Sequence, residues 1–195
     1  MTLGMNTGRN TYKWVGEALS LPQFKDIFPD QLFYKGVQVN DLVIRIGSYV
    51  LLKTKKDKEL SQNTTIVARV ELIMGTAGTI LSKSTCQLMV RKFIFPKDVP
   101  PNCFYNNIIF NFDLEVIEDL RPSDPIFKLG QVIDVCKVAI GAETDEAEKT
   151  IHDLTVKHNL VNSVVYLCRY RLIQNENAQV LEPVIMLPPA ELLDE

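Results

Sequence analysis

Residues that carry out chemistry are scarce in this sequence of 195 residues. It has two histidines, and it contains no phosphate-binding glycine-rich loop, no G-x-S-x-G nucleophile turn and no H-E-x-x-H zinc motif. His152 and His158 are six positions apart, which places them on different faces of a helix, whereas a chelating pair stands four apart. The sequence therefore predicts a protein that is not an enzyme and has no cofactor, metal or small-molecule substrate.

Cysteines and long apolar runs are also few. The four cysteines stand at 86, 103, 136 and 168 with no C-x-x-C pair, so we expect buried core thiols in a reducing compartment rather than a zinc cluster. Residues 1–10 resemble neither a secretory signal nor a transit peptide. No apolar run approaches the roughly 20 residues that span a bilayer, so no membrane partner is predicted.

Charge is unevenly spread along the chain. The net charge is −3, but residues 1–100 hold 14 basic against 8 acidic residues, and residues 101–195 hold 7 against 16. Such a chain can present a basic face to phosphate and an acidic face to a basic tail, although charge separated in sequence need not stay separated after folding. A lysine-rich loop contains Lys53, Lys55, Lys56 and Lys58. It is either a solvated hairpin tip or a nucleic-acid contact, because clustered lysines release counterions on binding.

Alternating apolar and polar residues predict about eight strands. They are expected within 11–18, 32–46, 48–53, 64–74, 81–95, 108–117, 131–140, 163–173 and 180–185. One helix is predicted over 145–157, with Thr144 as a possible N-cap. Strands do not alternate with helices, so a mostly antiparallel barrel or curled sheet is favoured. We expect a flexible leader at 1–10, one domain over 11–187 and a tail at 188–195, with Trp14 as a packing anchor.

An ordered set of segments resembles the bromo-adjacent homology (BAH) domain. The clearest are TTIVARVELIM (64–74), VRKFIFPKDVP (90–100), DLEV (113–116), VCKV (135–138) and VYLCRYRL (165–172). Upstream, Ile46 to Val50 is similar to the family's Val-Gly-Asp-x-Val strand, with Ser48 in place of the usual acidic residue. The resemblance covers roughly 32–185. It implies a distorted antiparallel β-barrel with one or two short helices, a nuclear location, and a role in chromatin and transcription regulation.

The sequence departs from the family where methyl-lysine readers build an aromatic cage. In those readers a Trp and a Tyr form cage walls, because a methylated ammonium is attracted to ring faces. Lys92 stands at the Trp position and Ile94 at the Tyr position. Tyr49, Phe95 and Tyr105 are the remaining aromatic candidates. The resemblance therefore implies a member of this family without its usual cage.

Three functions remain open at this point. The first is a non-enzymatic docking or scaffold module that binds protein subunits of a chromatin complex through loop 96–107 and the exposed side of 108–120. The second is a histone-tail reader in which Glu118, Asp119 and Asp124 hold a basic tail. The third is nucleosome or DNA contact through the 53–58 lysine loop, together with Arg91, Lys92 and Lys97. The candidate partner surface comprises Tyr49, Lys92, Ile94, Phe95, Tyr105, Glu118, Asp119 and Asp124.

Overall fold

The chain folds as a mainly β protein, as the sequence predicts. The computed structural model describes residues 11–54, 65–104, 108–141, 164–176, 178–184 and 187. The strands in these residues are β1 Tyr12–Leu19, β2 Gln31–Val39, β3 Leu42–Arg45, β4 Tyr49–Lys53, β5 Thr65–Thr76, β6 Cys86–Ile94, β7 Glu115–Asp119, β8 Ile126–Lys128, β9 Val132–Ile140, β10 Val165–Gln174 and β11 Gln179–Pro183. Short 3₁₀ turns lie at Pro22–Phe24, Pro96–Asp98, Pro101–Cys103 and Leu129–Gln131. The predicted leader, helix and tail lie outside the described residues.

Six strands close into a barrel. The long central strand β5 pairs antiparallel with β4 on one side and with β6 on the other. The ring continues through antiparallel β4–β9, parallel β9–β10, parallel β10–β7 and antiparallel β7–β6. The predicted barrel is thus confirmed, with one strand, β10, running parallel to both neighbours.

The barrel interior is packed by one cluster of buried and half-buried side chains drawn from every strand of the ring. Its members include Tyr49 of β4, Val67 of β5, Phe93 of β6, Val116 of β7, Cys136 of β9 and Tyr166 of β10. Outside the ring, β2 pairs with β5, and β1 and β3 pair with β2. A second cluster fills the space between these strands and the barrel wall. Strand β8 pairs with β6, and β11 pairs with β10.

Trp14 anchors β1 to the barrel, as the sequence predicts. Its ring stacks on Tyr34 with centroids 3.8 Å apart and planes inclined by 3°. The ring also lies directly over Gly75 of β5, where an added Cβ would be 2.5 Å from Cζ2 of Trp14. Only glycine leaves room for the indole at this point of the wall.

One predicted strand was placed wrongly and one strand was missed. The strand expected over 108–117 begins only at Glu115, because Asn111 turns the chain: its Oδ1 accepts hydrogen bonds from the N–H groups of Asp113 and Leu114. Strand β8 was not predicted, because three residues are too few to show an alternating pattern. The four cysteines are buried and free, as expected. No helix within the described residues is long and apolar enough to cross a bilayer.

Candidate functional site

The aromatic side chains near the expected cage position are used in packing. Phe95 meets Tyr166 edge to face at 5.6 Å, and Nζ of Lys97 lies 5.5 Å from the centre of the Phe95 ring. Tyr49 packs on Phe93 at 5.7 Å, and burial raises the pKa of its hydroxyl to about 12. Both rings are half-buried, so each offers only part of its face to a methylated lysine.

Two predicted surface residues are buried, which corrects their assignment to a partner surface. Ile94 retains 7% of its surface and packs among apolar side chains outside the ring. Glu118 retains none. Tyr105, Lys55, Lys56 and Lys58 lie outside the described residues.

Glu118 belongs to an ionic cluster inside the barrel. Arg91 and Glu118 stand two positions from Phe93 and Val116 of the interior cluster, so strand alternation turns them inward as well. Nη1 of Arg91 donates a hydrogen bond of 2.8 Å to Oε1 of Glu118, and Nε of Arg171 lies 3.2 Å from Oε2 as an ion pair without hydrogen-bond geometry. These pairings explain how a carboxylate is kept inside the barrel.

The same cluster includes the Ala-Arg-Val-Glu segment that carries part of the BAH resemblance. Oε1 of Glu71 accepts hydrogen bonds from Nε of Arg69 at 2.8 Å and from Nε of Arg91 at 3.3 Å. Both Arg69 and Glu71 are buried. The motif is therefore part of the barrel interior rather than of an accessible site.

The remaining predicted acidic residues, Asp119 and Asp124, have their own partners. The carboxylate of Asp119 accepts two hydrogen bonds of 2.8 Å from the guanidinium of Arg121. Asp124 is exposed, and its Oδ1 accepts the N–H of Ile126 at 2.9 Å. Of the three carboxylates proposed to hold a basic tail, one is buried and one is bound to an arginine.

An open groove of about 810 Å³ lies where β4, β6 and β8 come together. We call it the lysine groove. The residues around it include Lys53, Lys92, Asp124, Phe127, Lys128 and Gln131. It therefore brings together Lys53 and Lys92, which the nucleic-acid hypothesis names. Three ammonium groups face one carboxylate, so the lining is basic.

Lys92 is held at the wall of this groove. Its Nζ lies 5.9 Å from the centre of the Phe127 ring, and β6 places it opposite Asp119 of β7. Burial lowers the pKa of Lys92, while the carboxylates of Asp119 and Asp124 act in the opposite direction. A partly desolvated ammonium gains more from a nearby anion than one in bulk water does.

The outward N–H groups of β8 are already occupied. The N–H of Ile126 is bonded to Asp124, and the N–H of Lys128 donates to Oε1 of Gln131 at 2.9 Å. Side chains thereby cap the free edge of this short strand. Sequence patterns did not identify three residues of this site, Phe127, Lys128 and Gln131. The only sequence signal for them is Asp124, which stands two positions before Ile126 at the spacing of an Asx turn.

A second surface feature is the segment from Ile108 to Leu114, which we call the aromatic loop. It exposes two large apolar side chains, Ile109 with 81% and Phe112 with 57% of their surface accessible. Between them Phe110 is buried and meets Phe104 and Tyr170 edge to face, each at 5.6 Å.

Arg169 fixes the base of the aromatic loop. Its guanidinium pairs with the buried carboxylate of Glu115 at 2.8 to 3.0 Å and donates a 2.7 Å hydrogen bond to the carbonyl oxygen of Ile109. It also lies 5.7 Å from the ring centre of Phe110 and 5.3 Å from that of Tyr170. Glu115 and Arg169 come from two segments of the BAH resemblance, Leu-Glu-Val and Cys-Arg-Tyr, so these segments meet under the loop.

Within the described ranges, no group of three or more His, Cys, Asp or Glu side chains is placed to hold a metal ion. The two surfaces are suited to binding: the lysine groove presents lysines, and the aromatic loop presents apolar side chains.

Comparison with known proteins gives one distant relative. No family model matches the chain. The chain is 25% identical over 178 residues to origin recognition complex subunit 1 of Drosophila melanogaster. The alignment covers 88% of this chain and 19% of the relative, so the chain spans about a fifth of that protein's length. This similarity is compatible with a BAH-like domain.

Proposed function

We propose that the chain is a non-enzymatic interaction module that docks onto protein subunits of a nuclear, chromatin-associated complex. The observation that carries this proposal is the aromatic loop, which exposes Ile109 and Phe112 on a rigidly held base. Large apolar side chains that become buried at a partner surface dominate the free energy of many protein interfaces. The BAH resemblance and a relative named as a subunit of a complex support the same conclusion.

The base of the loop favours binding because it is organised in advance. Arg169 holds the carbonyl oxygen of Ile109, and Asn111 donates its N–H to Oε1 of Glu115 at 2.9 Å. A loop fixed in this way loses little conformational entropy when a partner covers it. Ile109 and Phe112 therefore present a preformed apolar contact rather than one that must fold on binding.

Affinity purification of the intact protein from nuclei tests this function. The variant Ile109→Ser/Phe112→Ser should lose a stoichiometric partner set that the unchanged protein recovers. The matched control is Ile27→Ser/Ile80→Ser, which removes two equally exposed apolar side chains elsewhere and should keep the partners. A photo-crosslinking residue at position 112 should join the same partner. Recovery of no defined partners, or equal recovery with both variants, would refute the proposal.

The alternative function of a histone-tail reader is tested in parallel with unmodified and methylated H3 and H4 peptides. Because Glu118 is buried and Asp119 is paired with Arg121, we expect no binding tighter than about millimolar, roughly −4 kcal/mol. Micromolar binding of any peptide, abolished by Asp124→Asn, would favour the reader function instead.

A further inference from the structure

We propose that the lysine groove binds the phosphodiester backbone of nucleic acid. This goes beyond the docking function, because the groove and the aromatic loop share no residue. The argument rests on the charge of the groove, on the capped edge of β8 and on the chemistry of lysine.

The charge of the groove favours an anion. Lys53 and Lys128 are exposed and Lys92 is half-buried beside the Phe127 ring. Asp124, the carboxylate in the groove lining, has one oxygen engaged by the backbone of β8, and Asp119, opposite Lys92, is paired with Arg121. These three ammonium groups come from β4, β6 and β8, so the fold rather than a local run of sequence gathers them.

The capped strand edge argues against a peptide that adds as a further strand. Such a peptide binds through the free N–H and C=O groups of an edge strand. In β8 the outward N–H groups of Ile126 and Lys128 already donate to Asp124 and Gln131. A ligand in this groove must therefore be held mainly by side chains, and the charged side chains that can hold it are chiefly lysines.

The chemistry of lysine suits a phosphate backbone. A lysine ammonium acts as a point charge that can meet phosphate oxygens in many orientations, without the fixed bidentate geometry of an arginine. Three such charges along an open groove can follow a repeating phosphate backbone without selecting a base sequence. We expect contacts to about three phosphates.

Salt dependence measures these contacts directly. Fluorescence anisotropy with a labelled duplex of about 20 base pairs should give a slope of log affinity against log salt near −2.7, from about −0.9 per neutralised phosphate. Affinity should then fall about 40-fold between 50 and 200 mM salt. A single-stranded DNA of the same length, with about −0.7 per phosphate, shows which form of nucleic acid is preferred.

Three groove substitutions provide the decisive variant. Lys53→Gln/Lys92→Gln/Lys128→Gln should bring the slope of log affinity against log salt from about −2.7 to near zero. It should also weaken binding at least about 10-fold at low salt. The matched control Lys13→Gln/Lys35→Gln/Lys137→Gln removes the same charge from exposed positions outside the groove and should leave the slope unchanged. Lys128→Gln alone, at an exposed site with little risk to folding, should raise the slope by about 0.9.

Each result has a defined meaning. Equal loss in the groove and control variants, or binding that does not depend on salt, overturns the proposal. So does a poly-glutamate peptide that displaces the DNA at equal charge concentration, since the groove would then be a site for acidic protein. Failure here leaves the docking function intact, because Ile109 and Phe112 are unchanged in every groove variant.

Discussion

Glu118 is a charged residue whose buried environment is costly to maintain. Its carboxylate is fully buried and is neutralised by Arg91 and Arg171, whose side chains keep 27% of their surface. Burying a carboxylate carries a desolvation cost that only close cations and hydrogen bonds offset. Removing its charge leaves both arginines facing the interior without this partner.

We therefore expect Glu118→Gln to lower the free energy of unfolding by about 3 kcal/mol. Urea unfolding followed by circular dichroism measures the change. The control Glu182→Gln, at an exposed position of β11, should stay within about 0.5 kcal/mol of the unchanged protein. A loss below about 1 kcal/mol for Glu118→Gln would show that the ionic cluster adds little stability.

Sequence could not place Glu118 because its partners are remote. The pattern of 108–117 indicated a strand that ends before Glu118, which left Glu118 and Asp119 in an apparently acidic surface segment. In the fold β7 continues to Asp119, and Glu118 points inward toward arginines on β6 and β10. No local feature identifies those arginines. The lysine groove was not predicted from the sequence for the same reason, because Lys128 lies on β8, a strand that was not predicted.

At the scale of elements, the contact of β1 with β5 depends on a glycine, Gly75, which has no side chain. A Cβ at Gly75 would stand 2.5 Å from Cζ2 and 2.9 Å from Cη2 of Trp14, both on the outer ring of the indole. A Cβ cannot lie this close to the indole ring, so any larger residue at position 75 must displace the indole or the strand.

Gly75→Ala should therefore lower the free energy of unfolding by about 2 kcal/mol, the usual cost of overpacking. In a Trp14→Phe background the shorter ring leaves the space open, and the same substitution should cost less than about 1 kcal/mol. This double-mutant cycle, measured by urea unfolding, reports the contact itself. Equal costs in the two backgrounds would mean that another neighbour opposes the methyl group.

Local patterns were sufficient for most strands and for tight turns, but not for how strands pair. The turn between β2 and β3 forms with Asn40 in the left-handed region at φ 52°, a conformation that asparagine tolerates. The parallel pairing of β10 with β9 and β7 follows from closing the ring and has no signal in the alternation of either partner. The BAH resemblance provided the barrel; the residue pattern alone left a curled sheet equally possible.

At the scale of the whole molecule, buried thiols make stability depend on pH. Burial raises the pKa of Cys86, Cys136 and Cys168 from an ordinary value of 9.0 to about 12 in each case. The unfolded chain therefore ionises first as pH rises. This stabilisation is complete below about pH 9 and is lost as pH rises toward 12.

Each of these thiols should lower the free energy of unfolding by about 1.4 kcal/mol at pH 10 relative to pH 8. Urea unfolding at several pH values, with a reductant present, should show a decline of about 4 kcal/mol over this interval. Cys86→Ala should reduce the pH slope by about a third, whatever it does to stability at pH 8. A free energy that is flat up to pH 10 would contradict the buried positions of the thiols.

The position of β10 in the ring has a consequence for synthesis. The ribosome releases β4 through β9 well before β10 (Val165–Gln174). Strand β10 is the last strand of the ring to be made, yet it lies between β9 and β7 and completes the circle. At about 5 to 20 residues per second, roughly 2 to 7 s pass between the end of β9 and the end of β10. During that interval the nascent chain holds two unpaired strand edges and an uncovered arginine–glutamate interior. Chaperone binding to the growing polypeptide is expected to be concentrated in this interval.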